Sequence, residues 1–193
     1  MKKILITGAA GFLGQLSIDY FKHKYKLYLV DKVYIKSKNF LQIDITNFEE
    51  VDKAIKRIKP DIILHYASEI FDTYKKSQIN INNIDGTLNL VKAARKFKTK
   101  QFIFTSTFSI FEKNYEDLID EVEPISCSNY YGLSKAETER ILLSTEKSFN
   151  VTIFRCPVIV EKSRAHRLGI LFEFLKDNAT LWVLGNGDNK RQF

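Results

Sequence analysis

Cysteine is scarce, with only Cys127 and Cys156 in 193 residues. Neither belongs to a CxxC pair or to a Cys/His ligand spacing, which argues against a disulfide framework and a zinc site and suits a reducing cytoplasm. No metal ligand set is expected. Long apolar runs are also lacking. The longest fall far short of a bilayer span, and the chain opens on a strand-like run rather than a signal peptide, so a cytoplasmic protein without membrane attachment is expected. No Ser-, Gly- or Pro-rich tract and no internal repeat marks a linker or a solenoid. The 30 Lys and Arg against 23 Asp and Glu give a net charge of +7. That excess is spread singly or in pairs, such as Lys2-Lys3 and Lys75-Lys76, rather than gathered with aromatics on one element. It reads as a solvated surface without a nucleic-acid partner, whose charge can still attract an anionic substrate.

What the chain does contain is alternation. Runs rich in Ile, Val and Phe recur at 3–7, 26–30, 61–64, 101–105 and 151–155, with a short strand expected at 40–43, and the intervals accommodate crossover helices. The pattern predicts an α/β fold, a doubly wound parallel sheet around one core. Phe48, Val51, Ala54, Ile55 and Ile58 lie at helical spacing after Thr46 and before Pro60. Ile81, Ile84, Leu88, Val91 and Ala94 form a second stripe. A third helix is expected to begin near Asn129 and to include Ala136, Glu137, Glu139, Arg140, Leu142 and Leu143. Beyond it, Leu168, Leu171, Phe172 and Leu175 predict a helix over 166–178, followed by a strand at 181–184 and turn chemistry in Gly185-Asn186-Gly187-Asp188.

Two constellations carry chemistry. Thr7-Gly8-Ala9-Ala10-Gly11-Phe12-Leu13-Gly14 follows the first apolar run and opens an amphipathic segment, the context a dinucleotide-binding glycine turn requires. Such a turn lets backbone approach a pyrophosphate, with the helix N-terminus supplying amide donors and positive dipole. Asp31, at the end of Tyr28-Leu29-Val30, stands where a carboxylate accepts from an adenosine ribose. It would repel a 2′-phosphate, which favours NAD over NADP, although Lys32 beside it offsets part of that repulsion. Farther along, Tyr131 and Lys135 are spaced to share one helical face. A neighbouring ammonium and a cationic nicotinamide both favour the phenolate, so Tyr131 can exchange a proton with a substrate hydroxyl during hydride transfer. Thr105-Ser106-Thr107 ends the strand Phe102-Ile103-Phe104, where open α/β sheets present ligand-binding groups. Each element also has a plain structural reading: Asp31 as a turn residue, His65 as a hydrogen-bonded core imidazole, Thr107 as a strand-end hydroxyl.

In this order and spacing the residues resemble the extended short-chain dehydrogenase/reductase family, the NAD-dependent epimerases and dehydratases that act on nucleotide sugars. The resemblance implies a Rossmann-type NAD-binding domain over 1–165 and an incomplete start of a substrate-binding region over 166–193, the substrate lobe being mostly absent. It implies a cofactor site of Gly8, Gly11, Phe12, Leu13, Gly14, Asp31, Asp44, Ile45, Tyr66, Ala67, Tyr131 and Lys135, with Asp44-Ile45 at the adenine. His65-Tyr66-Ala67-Ser68 is similar to the family's His-x-Ala segment, and Asn83 to Leu90 to its Asn-x-x-Gly-Thr helix, where Asn83 is mainly architectural. Thr107, Tyr131 and Lys135 match the catalytic trio. Arg191 resembles the arginine that grips a substrate diphosphate. A homodimer through two long helices, at about 81–97 and 129–148, is a further family inference.

The chain departs from the family where Phe108-Ser109 replaces the Asp-Glu acid/base pair that follows the catalytic Thr in dehydratases, which disfavours sugar dehydration. Phe111 and Glu112 stand for the usual tyrosine and glycine, and Ile159-Val160-Glu161 for Val-Tyr-Gly. The expected activity is therefore epimerisation, ketone reduction or hydroxyl oxidation on a nucleotide sugar. The alternatives are a non-catalytic NAD-binding module and an inactive fragment of such an enzyme.

Overall fold

The computed structural model describes residues 1–70, 81–111, 119–145, 148–157, 159, 173–174 and 176–177. By its contacts the chain divides into two compact units, Met1–Arg155 and Cys156–Phe193. The first is built on a six-stranded sheet in the order β3-β2-β1-β4-β5-β6. Its strands are β1 (Lys3–Thr7), β2 (Lys26–Asp31), β3 (Phe40–Gln42), β4 (Ile62–His65), β5 (Gln101–Thr107) and β6 (Asn150–Cys156). Pairing from β3 through β5 is parallel throughout. The chain thus lays β2 and β3 on one side of β1 and β4 to β6 on the other. That places a topological switch point at the carboxyl end of β1, where open sheets of this kind bind ligands.

Ile4, Leu5 and Ile6 are all buried, because β1 is covered on both faces. On one face Leu5, Val30, Ile63 and Phe102 pack with Ile55, Leu90 and Leu142 from three helices. These are α2 (Phe48–Ile58), α3 (Gly86–Lys96) and α4 (Tyr130–Leu143). On the other face Ile4, Ile6, Leu29 and Leu64 meet Ile18 and Phe21 of α1 (Phe12–Phe21). In the second unit, residues 173, 174 and 176 are helical, and the Asp177 N–H donates to the Glu173 carbonyl at 3.0 Å. The rest of the expected helix at 166–178, the strand at 181–184 and Arg191 lie outside the described residues.

Two expected helices differ from the sequence reading. The segment at 81–97 starts as a π-helical turn over Ile81–Asp85 and becomes α-helical only at Gly86. The Asn83 carbonyl is taken by the Thr87 hydroxyl at 2.6 Å, while the Asn83 side chain is drawn outward to other elements. The helix expected to run to 148 stops at Leu143. Ser144 and Thr145 turn their hydroxyls back onto the carbonyls of Ile141 and Leu142, each at 2.7 Å, and so satisfy a helix end that apolar periodicity alone would extend.

Candidate active site

β1 ends in a turn that only glycine fits. Gly8 has φ +70°, and a Cβ there would lie 2.5 Å from the Ala67 nitrogen. Gly14 in the first turn of α1 is just as confined, its Cβ falling 2.3 Å from the Gly8 carbonyl. The helix therefore starts close over the strand. Its N-cap, Gly11, supplies no capping side chain, and its first turn contains no acid. A bare, positively polarised helix end at a switch point fits a pyrophosphate.

Along the same edge, Asp31 is tied to this turn. One carboxylate oxygen accepts from the Ala10 N–H and the other from the Val33 N–H, both at 2.9 Å. Asp44 is exposed and closes a local turn by accepting from the Thr46 N–H and hydroxyl. Ile45 is buried against Gly86, and its carbonyl accepts from Asn89 at 3.0 Å. Tyr66 accepts from the Ser17 hydroxyl at 3.0 Å, so the residue after β4 leans onto α1. Gly8 thus brings Ala67 and the first turn together, while Asp31 stands one strand away.

His65 is fully buried between Thr7, 2.7 Å from Nδ1, and Thr87, 2.8 Å from Nε2. Since the Thr87 hydroxyl spends its proton on the Asn83 carbonyl, it can only accept from the ring. Nε2 therefore carries the hydrogen, and Nδ1 accepts from Thr7. Burial, with Lys135 nearby adding to it, lowers the imidazole pKa to about 3. His65 is a neutral link between β1 and α3, which is the core-imidazole reading.

Tyr131 and Lys135 lie on α4, which packs against the strand end that carries Thr107. Asn129 caps that helix, accepting from the Gly132 N–H at 2.7 Å. Gly132 lies so close to the strand-end turn that a Cβ would sit 2.6 Å from the Ser109 carbonyl. Thr107 begins that turn, its hydroxyl accepting from the Ser109 N–H at 3.1 Å. One turn into α4, buried Lys135 donates to the Thr105 carbonyl at 2.9 Å. Its ammonium lies 4.5 Å from the Phe104 ring centre and 5.7 Å from that of Tyr131. The strand end carrying Thr107 and the helix face carrying Tyr131 and Lys135 are thus drawn together by contacts at both 132 and 135.

Several supporting residues find their partners on other elements. Asn83 joins three elements: its side chain accepts from the Glu69 N–H at 2.8 Å and donates to the Glu69 carbonyl and to the Ser134 hydroxyl at 2.9 Å. Glu139, fully buried, receives a two-pronged contact from Arg155, whose guanidinium also reaches the Glu121 carbonyl at 2.8 Å and lies over Phe111. Glu139 is Lys135 plus one helical turn, a spacing visible in sequence, but its partner on β6 is not. Lys32 pairs with Glu69. Among the described residues, no His/Cys/Asp/Glu cluster suited to a metal ion is present, and no helix is long and apolar enough to cross a membrane.

A six-stranded sheet with a glycine turn at its switch point and a helix carrying Tyr131 and Lys135 against the fifth strand defines a Rossmann-type fold. Residues 4–193 match the model of the NAD dependent epimerase/dehydratase family, and the chain belongs to it. It is 28% identical to a dTDP-D-glucose 4,6-dehydratase of Dictyostelium discoideum, over all of this chain and 52% of that protein. It is 26% identical to a putative UDP-glucose 4-epimerase of Methanocaldococcus jannaschii, over 98% of this chain and 68% of the relative. The solved UDP-Glc/GlcNAc 4-epimerase of Campylobacter jejuni superposes with a TM-score of 0.74 at 26% identity, covering 80% of this chain and 53% of that one. The fold is shared with Bordetella bronchiseptica WbmG, crystallised with NAD, at a TM-score of 0.82 and 21% identity over 93% of this chain and 61% of that one. The chain spans about half the length of the first curated relatives it matches. Among the described residues there is no substrate lobe.

Proposed function

We propose that the chain binds NAD along the carboxyl edge of its sheet and acts as an NAD-dependent nucleotide-sugar epimerase or oxidoreductase. The observation that carries this reading is Lys135, buried and bonded to the Thr105 carbonyl two residues before Thr107, with its ammonium 5.7 Å from the Tyr131 ring centre. Gly8, Gly11, Phe12, Leu13 and Gly14 would cradle the pyrophosphate, Asp31 the adenosine ribose, Asp44 and Ile45 the adenine, and Tyr66 and Ala67 the middle of the cofactor. Bound there, NAD supplies a reversible hydride acceptor. Tyr131 takes or returns the proton of the substrate hydroxyl. Thr107 hydrogen-bonds the same oxygen and stabilises charge developing on it. Lys135 spends one N–H on Thr105, leaving its charge to act on the phenol and on the ribose of the nicotinamide. Arg191, outside the described residues, would meet the substrate diphosphate.

Phe108 and Ser109 supply no acid/base pair for expelling water, which supports epimerisation or hydroxyl oxidation over dehydration. Turnover measured with a panel of UDP- and dTDP-sugars tests the reading. Tyr131→Phe should cost at least about a hundredfold in rate and leave NAD binding in place. Failure of the wild-type chain to bind NAD, or turnover indifferent to Tyr131→Phe, would overturn it. The departures at Phe108, Ser109 and Phe111 favour one other reading, a non-catalytic NAD-binding module, and calorimetric NAD binding with no turnover on the panel distinguishes it.

A further inference from the structure

Lys32 follows Asp31 directly and is the cation nearest in sequence to the ribose carboxylate. It pairs with Glu69, four residues beyond the end of β4, and because β1 lies between β2 and β4 the pair bridges two strands on either side of the glycine turn. Glu69 is the fixed member. Its N–H and carbonyl are both held by the Asn83 side chain, at 2.8 and 3.1 Å, and its side chain is 17% exposed against 56% for Lys32. Asp31 has both carboxylate oxygens on backbone N–H groups of Ala10 and Val33.

A dinucleotide with a 2′-phosphate on its adenosine ribose would bring a dianion to Asp31. Lys32 could compensate it only by leaving Glu69, and that would uncover a second, partly desolvated carboxylate beside the same crevice. Both terms oppose the phosphate, whereas a 2′-hydroxyl requires neither. We propose that Glu69 is a specificity-determining residue. By holding Lys32 away from the adenosine 2′ position, it makes the chain select the 2′-hydroxyl dinucleotide. The proposal rests on the NAD reading above and adds to Asp31 a second determinant from the segment that follows β4.

The test is titration of the full chain with NAD and NADP. Glu69→Gln keeps both backbone contacts to Asn83 and removes the negative charge that pairs with Lys32. It should raise NADP affinity about fivefold, the factor that one partly exposed ion pair represents, and leave NAD affinity within about twofold. Adding Lys32→Met to Glu69→Gln should abolish the gain, and Lys32→Met alone, which bares the Glu69 carboxylate, should lower NADP affinity relative to NAD. An unchanged ratio in Glu69→Gln, or a gain that survives Lys32→Met, overturns the proposal while NAD binding stands. A wild-type chain that binds neither dinucleotide overturns the cofactor reading and this proposal with it.

Discussion

At the scale of single residues, charge and shape at the sheet edge decide what can be tested. His65 takes no proton in the folded chain until about pH 3, whereas an unfolded histidine does so near 6.5. Between those values the unfolded state binds more protons. The contribution is complete above pH 6.5 and is lost as pH falls through the window, at about 1.4 kcal/mol per pH unit. Urea unfolding from pH 7 to 4.5 should therefore show a shallower pH dependence in His65→Asn, by about one proton; equal slopes would contradict a neutral, buried ring. Gly8→Ala places a Cβ against the Ala67 backbone at positive φ. A loss of about 1–3 kcal/mol in unfolding free energy, together with weakened NAD binding, is expected from denaturant titration and calorimetry.

Elements bring in partners that no local pattern announces. The glycine turn, Asp31 and the Tyr131/Lys135 pair were legible because each depends on short spacing and on the end of a predicted strand. The ends of the helices were less so: Ser144 and Thr145 stop α4, although Leu142 and Leu143 continue the apolar pattern. Nor could the sequence pair Glu139 with Arg155 or Lys32 with Glu69, since in both cases the two residues come from different elements. Glu139 sits on the helix that carries Tyr131 and Lys135, so its ion pair anchors that helix to β6 and, through Arg155, to Phe111 and the Glu121 carbonyl. Removing one charge leaves the other stranded in a largely dry site. Glu139→Gln should cost about 3 kcal/mol of stability, read from thermal or urea unfolding, and Arg155→Lys should cost less, because an ammonium keeps the charge opposite Glu139 although it cannot reproduce the forked contact.

For the whole molecule, ligand binding and folding are linked. A dinucleotide that spans the ends of β1, β2, β4 and β5 would bind only the native sheet, so NAD at a hundred times its Kd should add about 2.7 kcal/mol to stability. For a chain of this size that is roughly 5–10 °C in Tm, to be followed by thermal unfolding with increasing NAD. A Tm independent of NAD would contradict a site built across these strands.

The sequence by itself determined the alternating α/β order, the position of the glycine turn and the identity of the residues at the strand ends. Strand and helix periods and turn sterics are local properties, written within a few residues. Only the tertiary structure decided which charges meet. Glu69 comes to Lys32, Arg155 to Glu139, and His65 to Thr7 and Thr87 because the crossovers bring residues of separate strands and helices together. Burial then sets the strength of each contact, and burial belongs to the packed whole.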